Sequence, residues 1–243
     1  MTTVIGTEVC VQSTLGARAA VTGGADRIEL CAALELGGIT PSAGLIESVV
    51  DVIDTHVLIR PRAGDFVYDR DEIRVMAKDV EHAIDKGARS VVIGALTEAG
   101  DIDLPAMTRL LNAAQDVPVT FHRAFDATRD PLAALDVLLE LGVNRLLTSG
   151  ARPTAQEGLT LLAELIRRAG DELVVMPGSG VTPANAADIV RATGAREIHF
   201  SARRPIAVAQ GRGPLTGPLD GGERYETSAD LVRATVVAVT DLP

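Results

Sequence analysis

Residues 26–42 read DRIELCAALELGGITPS, and the front of this stretch decides the fold. Ile28 and Leu30 are spaced as one face of a buried strand, which puts Glu29 and Cys31 together on the other face. The same pattern occurs one strand earlier, where Glu8, Cys10 and Gln12 alternate with Val9 and Val11. Two strands that carry Glu-x-Cys on one face and only apolar residues on the other need helices outside and a polar-tolerant interior.

Outward from this stretch, strand-like and helix-like segments alternate along the chain. The apolar runs predict strands near 5–11, 27–31, 56–60, 90–94, 117–122, 144–148, 172–176 and 196–200. Between them the spacing is helical, as in Leu132, Leu135, Leu138 and Leu139, or Leu161, Leu162, Leu165 and Ile166. Thr40-Pro41, Asp130-Pro131 and Thr182-Pro183 each place a capping residue before a proline suited to a first helical turn. Gly87, Gly142, Gly170 and Gly194 fall where helices should stop. A last helix is expected over about 226–239. Eight strand–helix units predict an α/β, single-domain (β/α)8 TIM barrel over residues 1–243. An open doubly wound sheet is the rival, but its glycine-rich dinucleotide turn is absent after strand 1, and no nucleotide cofactor is expected.

Composition fits. Of the 243 residues, 47% are apolar and only 2% aromatic, so the core must be built from Ala, Val, Leu and Ile. The net charge of −10 with dispersed Lys and Arg argues against nucleic acid or an anionic membrane as partner. There is neither a secretory leader pattern nor an apolar run long enough to span a bilayer. Two Cys make a disulfide framework improbable, and a cytoplasmic location is expected. The segment 203–225, RRPIAVAQGRGPLTGPLDGGERY, is the least regular and reads as a lid or a disordered loop after strand 8.

Parity assigns the polar faces. Strand 2 adds Arg27, strand 3 offers His56, Leu58, Arg60 and Arg62, strand 5 Thr120 and His122, and strand 8 Glu197, His199 and Ser201. Helices cover the outside, so these side chains should face the interior, where charges must pair or reach the solvated mouth. Glu8 and Glu29 are expected to pair with Arg60 and Arg62. Such a layer either only fills the barrel or forms a site at the strand ends, where this fold carries its chemistry.

Pro177-Gly178-Ser179-Gly180-Val181 and Ser201-Ala202-Arg203-Arg204 follow strands 7 and 8, a position suited to anion binding through backbone N–H groups, a tight turn being the plainer reading. His122 and His199 fall at the mouth as an acid/base, a metal ligand or a fixed hydrogen-bonding group. His56 and His82 are set aside. Cys10 and Cys31, on neighbouring strands, are either thiol ligands for a soft metal or small apolar fillers.

The motifs EVCV, GADRIELCAALELGGITPS, IRPRAGDFVY, VTFHRAFD, LLTSG and VMPGSGV, in this order, resemble the copper homeostasis (CutC) family across roughly residues 8–202. The resemblance implies a (β/α)8 barrel akin in fold to phosphate-binding enzymes, self-association as a homo-oligomer, and a role in copper tolerance. It implies Cu(I) binding at Cys10 and Cys31; some relatives have a second Cys where this chain has Val11, which leaves fewer thiols here. The residues themselves suggest an alternative, an isomerase, aldolase or lyase acting on a small anionic substrate. In it Glu8, Glu29 and His122 move protons, while Arg60, Arg62, Thr148, Gly178, Ser179, Gly180, His199 and Ser201 hold the anion. No lysine sits at a strand end, against a Schiff-base aldolase.

Overall fold

A computed structural model describes residues 4–206, 224–240 and 242. Eight parallel strands form the barrel wall: β1 Gly6–Val11, β2 Arg27–Leu30, β3 Asp54–Leu58, β4 Ser90–Ile93, β5 Val119–Phe121, β6 Arg145–Thr148, β7 Val174–Pro177 and β8 Glu197–Phe200. Ladders join them in sequence from β7 back to β1, and β1 then pairs with β8. Strands β7 and β8 touch and bring the sheet close to closure. This is the (β/α)8 architecture that the alternation of elements predicts.

Among the described residues eight α-helices surround it: α1 Thr14–Gly23, α2 Ala43–Glu47, α3 Arg70–Asp85, α4 Leu104–Ala114, α5 Pro131–Glu140, α6 Leu159–Ala169, α7 Ala186–Thr193 and α8 Ala229–Thr240. Their caps follow local chemistry. Asp130 accepts from the N–H groups of Leu132 and Ala133 ahead of Pro131, and Asp69 with Glu72 builds a full capping box on α3. Gly170 and Gly194 cap α6 and α7 with positive φ, and Gly87 and Gly142 follow the last residues of α3 and α5 with positive φ as well.

Two expected caps are displaced. Ser42, not Thr40, caps α2 through Leu45 N–H. Thr40 instead bonds the backbone of Arg60 in both directions, because the 31–40 loop is tied to the end of β3. Helix α7 begins after Asn185, three residues beyond Thr182, since Asn185 Oδ1 takes both the N–H and hydroxyl of Thr182 in a turn of its own. Strand β3 also starts two residues before the expected span and ends at Leu58.

The ends of the irregular segment are ordered. Arg203–Ile206 (β9) and Arg224–Thr227 (β10) form an antiparallel ribbon, which delays α8 to Ala229. Residues 207–223, where the lid expectation falls, lie outside the described residues.

The main core lies between barrel and helices, where Val9, Val11, Ile28, Leu30, Val57 and Ile59 pack outward, as parity requires. A second small cluster sits inside the barrel and contains Cys10, Cys31, Leu58 and Val92. Helices α1 and α8 pack so closely that a Cβ added at Gly23 would stand 2.4 Å from Val232 and 2.9 Å from the Ala229 carbonyl. Replacing Gly23 by Ala should therefore destabilise by about 1–3 kcal/mol through overpacking, which outweighs the roughly 1 kcal/mol gain in helix propensity. A lower urea midpoint with unchanged slope is the expected readout.

Candidate functional site

The barrel floor is an ion network seeded by Glu8, which is wholly buried. Arg27 Nε donates to Glu8 Oε2 at 2.7 Å, and the Arg27 guanidinium also binds Glu197. Arg145 Nε reaches the same Glu197 carboxylate at 2.9 Å. His199 Nδ1 lies 2.9 Å from Glu8 Oε1; His56 Nδ1 lies 2.9 Å from Oε2 but off the hydrogen-bonding direction. The expected pairing of Glu8 and Glu29 with Arg60 and Arg62 does not form. Arg27 and two histidines take that place, because Glu8 is opposite Arg27 on β2 and His199 on β8.

These contacts set the charges. Burial pushes the Glu8 pKa up, but the hydrogen bond from His199 and the nearness of His56 and Arg27 outweigh it, holding the carboxyl well below its ordinary value. Burial also opposes a charged His199, yet Glu8 and Glu29 raise its pKa overall. Glu29 lies one step nearer the mouth, and its pKa is raised, chiefly by burial and further by the Glu8 charge. Above it the Cys10 and Cys31 sulfurs are 3.6 Å apart. The Cys31 contact, then burial, pushes the Cys10 thiol well above its ordinary value.

Over this floor opens a cavity of about 400 Å³ lined by Cys10, Glu29, Arg60, His122 and His199 among others. Its rim adds Ser179, Gly180, Val181, Ser201, Arg123 and Arg203. Glu29 is the one carboxylate against three guanidiniums in this lining, among the described residues. Arg60 is only 5% exposed, and its Nη atoms donate to the carbonyls of Leu36, Gly38 and Gly64. No carboxylate pairs with it among the described residues, and its Nε is buried without a partner. It stacks 5.0 Å from the Phe66 ring.

His122 accepts at Nδ1 from the Ala124 N–H, so the ring carries its proton on Nε2, and that atom is buried without a partner. Burial and the Arg60 charge lower its pKa to about 3. The ring fits because residue 94 is glycine; a Cβ there would stand 2.6 Å from the imidazole. On the β7 side, the carbonyl of Ser179 is taken by Ala155 N–H and that of Gly180 by Asn185. The N–H groups of Ser179, Gly180 and Val181 have no acceptor among the described residues.

Backbone strain gathers at the same end. Of the five described non-glycine residues with positive φ, Ala33, Ala151, Ser179 and Ala202 follow β2, β6, β7 and β8, and only Gln115 lies elsewhere. Such conformations cost about 1–3 kcal/mol each and concentrate at functional ends of folds.

Some expected site residues are placed elsewhere. Arg62 lies beyond the end of β3, so parity no longer governs it; its guanidinium binds Glu72 and Asp65 and covers Tyr68. Thr148 is fully buried, its hydroxyl donated to Asp126 at 2.5 Å. Gly178 gives its N–H to the Thr148 carbonyl. Asp126 in turn holds Arg123 at 2.8 Å, which presents that guanidinium at the rim. Arg203 falls in the segment after strand 8 that the sequence marks as suited to an anion, whereas Arg123 follows a strand end, where alternation carries no signal. His56, set aside by its place at a strand start, has inward parity and stands against Glu8.

The family model for the CutC family matches residues 5–204. The chain belongs to the CutC family. A CutC protein of Bacteroides thetaiotaomicron is 46% identical over 96% of this chain and 97% of its own, and one from Xanthomonas campestris pv. campestris is 47% identical over 96% and 98%. The crystal structure of a CutC protein from Streptococcus agalactiae, 33% identical, superposes with a TM-score of 0.78 over 81% of this chain and 98% of that one. Thiamine phosphate pyrophosphorylase from Pyrococcus furiosus, at 14% identity and TM-score 0.61, covers 98% and 96% and shares the fold alone. No helix among the described residues of this CutC-family chain is long and apolar enough to cross a membrane.

The His122 environment has a consequence for stability. With a folded pKa near 3 and an unfolded value of about 6.5, the unfolded chain binds the extra proton between these limits. Stability should thus fall as pH drops from about 6.5 towards 3, by roughly 2–3 kcal/mol from this group at pH 4.5. Urea unfolding of wild type and His122→Asn at pH 7 and pH 4.5 should show a smaller acid loss in the variant.

Proposed function

We propose that the chain is an enzyme of isomerase, aldolase or lyase type acting on a small phosphorylated or carboxylated sugar-like substrate at the barrel mouth. One observation carries this reading: Arg60 is a buried guanidinium on the cavity wall, held by three neutral carbonyls and without a carboxylate. A charge in that setting is costly unless an anion joins it. Arg123, Arg203 and the unbonded N–H groups of residues 179–181 add donors on the same rim.

His122 supplies the chemistry. Neutral at physiological pH and carrying its proton on Nε2, it can donate to a carbonyl oxygen and stabilise the negative charge that develops there. No lysine lines the cavity among the described residues, so the reading does not include a Schiff base. Thermal-shift titration with ribose 5-phosphate, fructose 6-phosphate and gluconate tests it. At least one should raise the melting temperature, and Arg60→Lys, which keeps the charge but loses the fork, should weaken that ligand about 10–100-fold, the order of one or two charge-assisted hydrogen bonds. No shift with any of the three, or equal binding by the variant, argues against an anion site.

A second reading, Cu(I) binding by Cys10 and Cys31, is supported by the 3.6 Å approach of their sulfurs and by the family's association with copper. Soft thiolates suit Cu(I), and these two residues would hold it. The fit in distance is good, but Cys31 is fully buried beside Leu58 and Val92, a poor setting for the net negative charge of a bis-thiolate complex. Competition against a Cu(I) chelator should show at least a 100-fold weaker affinity in the Cys10→Ser/Cys31→Ser double variant. Equal affinity rejects the reading.

A further inference from the structure

We propose that Cys10, Glu29 and His199 form a binding site for a divalent transition-metal ion, Zn²⁺ by donor chemistry, at the floor of the cavity. One sulfur, one carboxylate oxygen and one imidazole nitrogen from β1, β2 and β8 lie within 4.8 Å of one another. All three residues line the cavity. Three protein ligands with a fourth position open to a cavity is the arrangement of reactive zinc sites, whereas structural sites are closed by four.

The surroundings of His199 point the same way. Its Nδ1 is engaged by the ionised Glu8 carboxylate at 2.9 Å, which in turn is anchored by Arg27. A carboxylate behind one ring nitrogen places the proton there and leaves the other nitrogen's lone pair free, the usual support for a metal-bound histidine. That other nitrogen, Nε2, faces Glu29 Oε2 at 3.8 Å. The gap is too long for a hydrogen bond. It is close to the roughly 3.3–3.5 Å between two atoms on one tetrahedral ion with bonds of about 2.0–2.2 Å. A small inward movement of either side chain completes the geometry.

Charge balances too. Cys10 thiolate and Glu29 carboxylate offset the two positive charges, so the occupied site is neutral. On binding, the Cys10 S–H bond and the N–H bond at Nε2 of a protonated His199 break, sulfur–metal and nitrogen–metal bonds form and the protons leave to solvent, so affinity rises with pH. Oxygen and nitrogen donors beside a single sulfur favour the borderline Zn²⁺ over Cu(I), and Cys31 has no part in the set. The fourth position faces the rim that carries Arg60 and His122, where water or a substrate oxygen would take it. The site stands on these contacts whatever ligand the rim accepts.

Titrating chelator-treated full-length protein with Co²⁺ under reducing conditions, followed by Zn²⁺, tests the proposal. One equivalent of Co²⁺ should bring up sulfur-to-cobalt charge-transfer absorption and tetrahedral visible bands, and Zn²⁺ should abolish both. Cys10→Ser should remove the charge-transfer absorption. Glu29→Gln and His199→Gln should each weaken Zn²⁺ at least 100-fold in variants whose circular dichroism matches wild type. Cys31→Ser should keep the charge-transfer absorption, because its sulfur is not a ligand in this set. Absence of binding by the folded wild type, loss of the absorption in Cys31→Ser, or wild-type Zn²⁺ affinity in both Gln variants would overturn the assignment. Ribose 5-phosphate binding by the chelator-treated protein is read separately by thermal shift, so failure of the metal site and failure of the anion site are distinguishable.

Discussion

A carboxylate that stays ionised in the middle of a protein constrains everything around it, and here that group is Glu8. Removing one partner from a buried ion pair costs about 3–5 kcal/mol because the remaining charge is stranded. Glu8 meets this constraint by drawing donors from two other strands, Arg27 from β2 and His199 from β8, with the His56 ring of β3 packed against the same carboxylate. Arg27 extends the network to Glu197, and Glu197 extends it to Arg145 on β6. A slip of one residue in any of these strands would turn its charged group outward into the apolar layer under the helices. The network therefore fixes register in a barrel whose outer faces, rich in Val, Ile and Leu, would accept several registers equally well. It also orients His199, the residue through which the floor meets the cavity.

The rim is organised on a different principle. There Arg60 is held by backbone rather than by opposite charge, and among the described residues only Arg123 has a carboxylate partner, Asp126, of the guanidiniums in the lining. Arg60 is seated by the carbonyls of Leu36, Gly38 and Gly64, and Asp126 fastens the Thr148–Ala151 turn through the N–H groups of Ser149 and Ala151. Neutral carbonyls fix the position of a guanidinium without cancelling its charge. Arg62 shows the contrast: Glu72 and Asp65 neutralise it at the surface, and it has no part in the cavity. Two arginines separated by one proline thus have opposite fates, decided by whether a carboxylate lies within reach.

The same contrast explains what the sequence reveals and what it hides. Along β1, β2 and β8 alternation assigns the inward charged side chains, because a strand covered by helices tolerates charge on one face only, and after β5 it carries on to His122, whose N–H still bonds the Ile93 carbonyl. Glu8, Glu29, His122 and His199 are legible for this reason. Beyond the last paired residue alternation has no physical basis: Arg62 is placed by Asp65 and Glu72, Arg123 by Asp126, and Arg203 by the β9–β10 ribbon. Thr148 shares the outward parity of Leu146 rather than that of Leu147, which lines the cavity, and its hydroxyl is spent on Asp126. Pairing partners are hidden in a similar way. An inward Glu on β1 predicts some cation, but the ladder register that selects Arg27 rather than Arg60 is a property of the closed sheet.

Floor and rim together make a cavity with opposite charges at its two ends inside a chain of net charge −10. At ordinary ionic strength the screening length is about 8–10 Å, so the overall negative charge neither draws nor repels a small anion once it reaches the mouth. What acts on it is the local field, and this is strongest at Arg60, where burial lowers the effective dielectric and leaves the charge unscreened. The exposed Arg203 is screened by water and adds less. A ligand that touches only the exposed Arg203 gains little from this arrangement. One that carries its anionic group down to Arg60 gains the most, and its other end then stands over Cys10, Glu29 and His199. The depth at which the uncompensated charge is buried thus selects for a small ligand that spans the cavity from rim to floor.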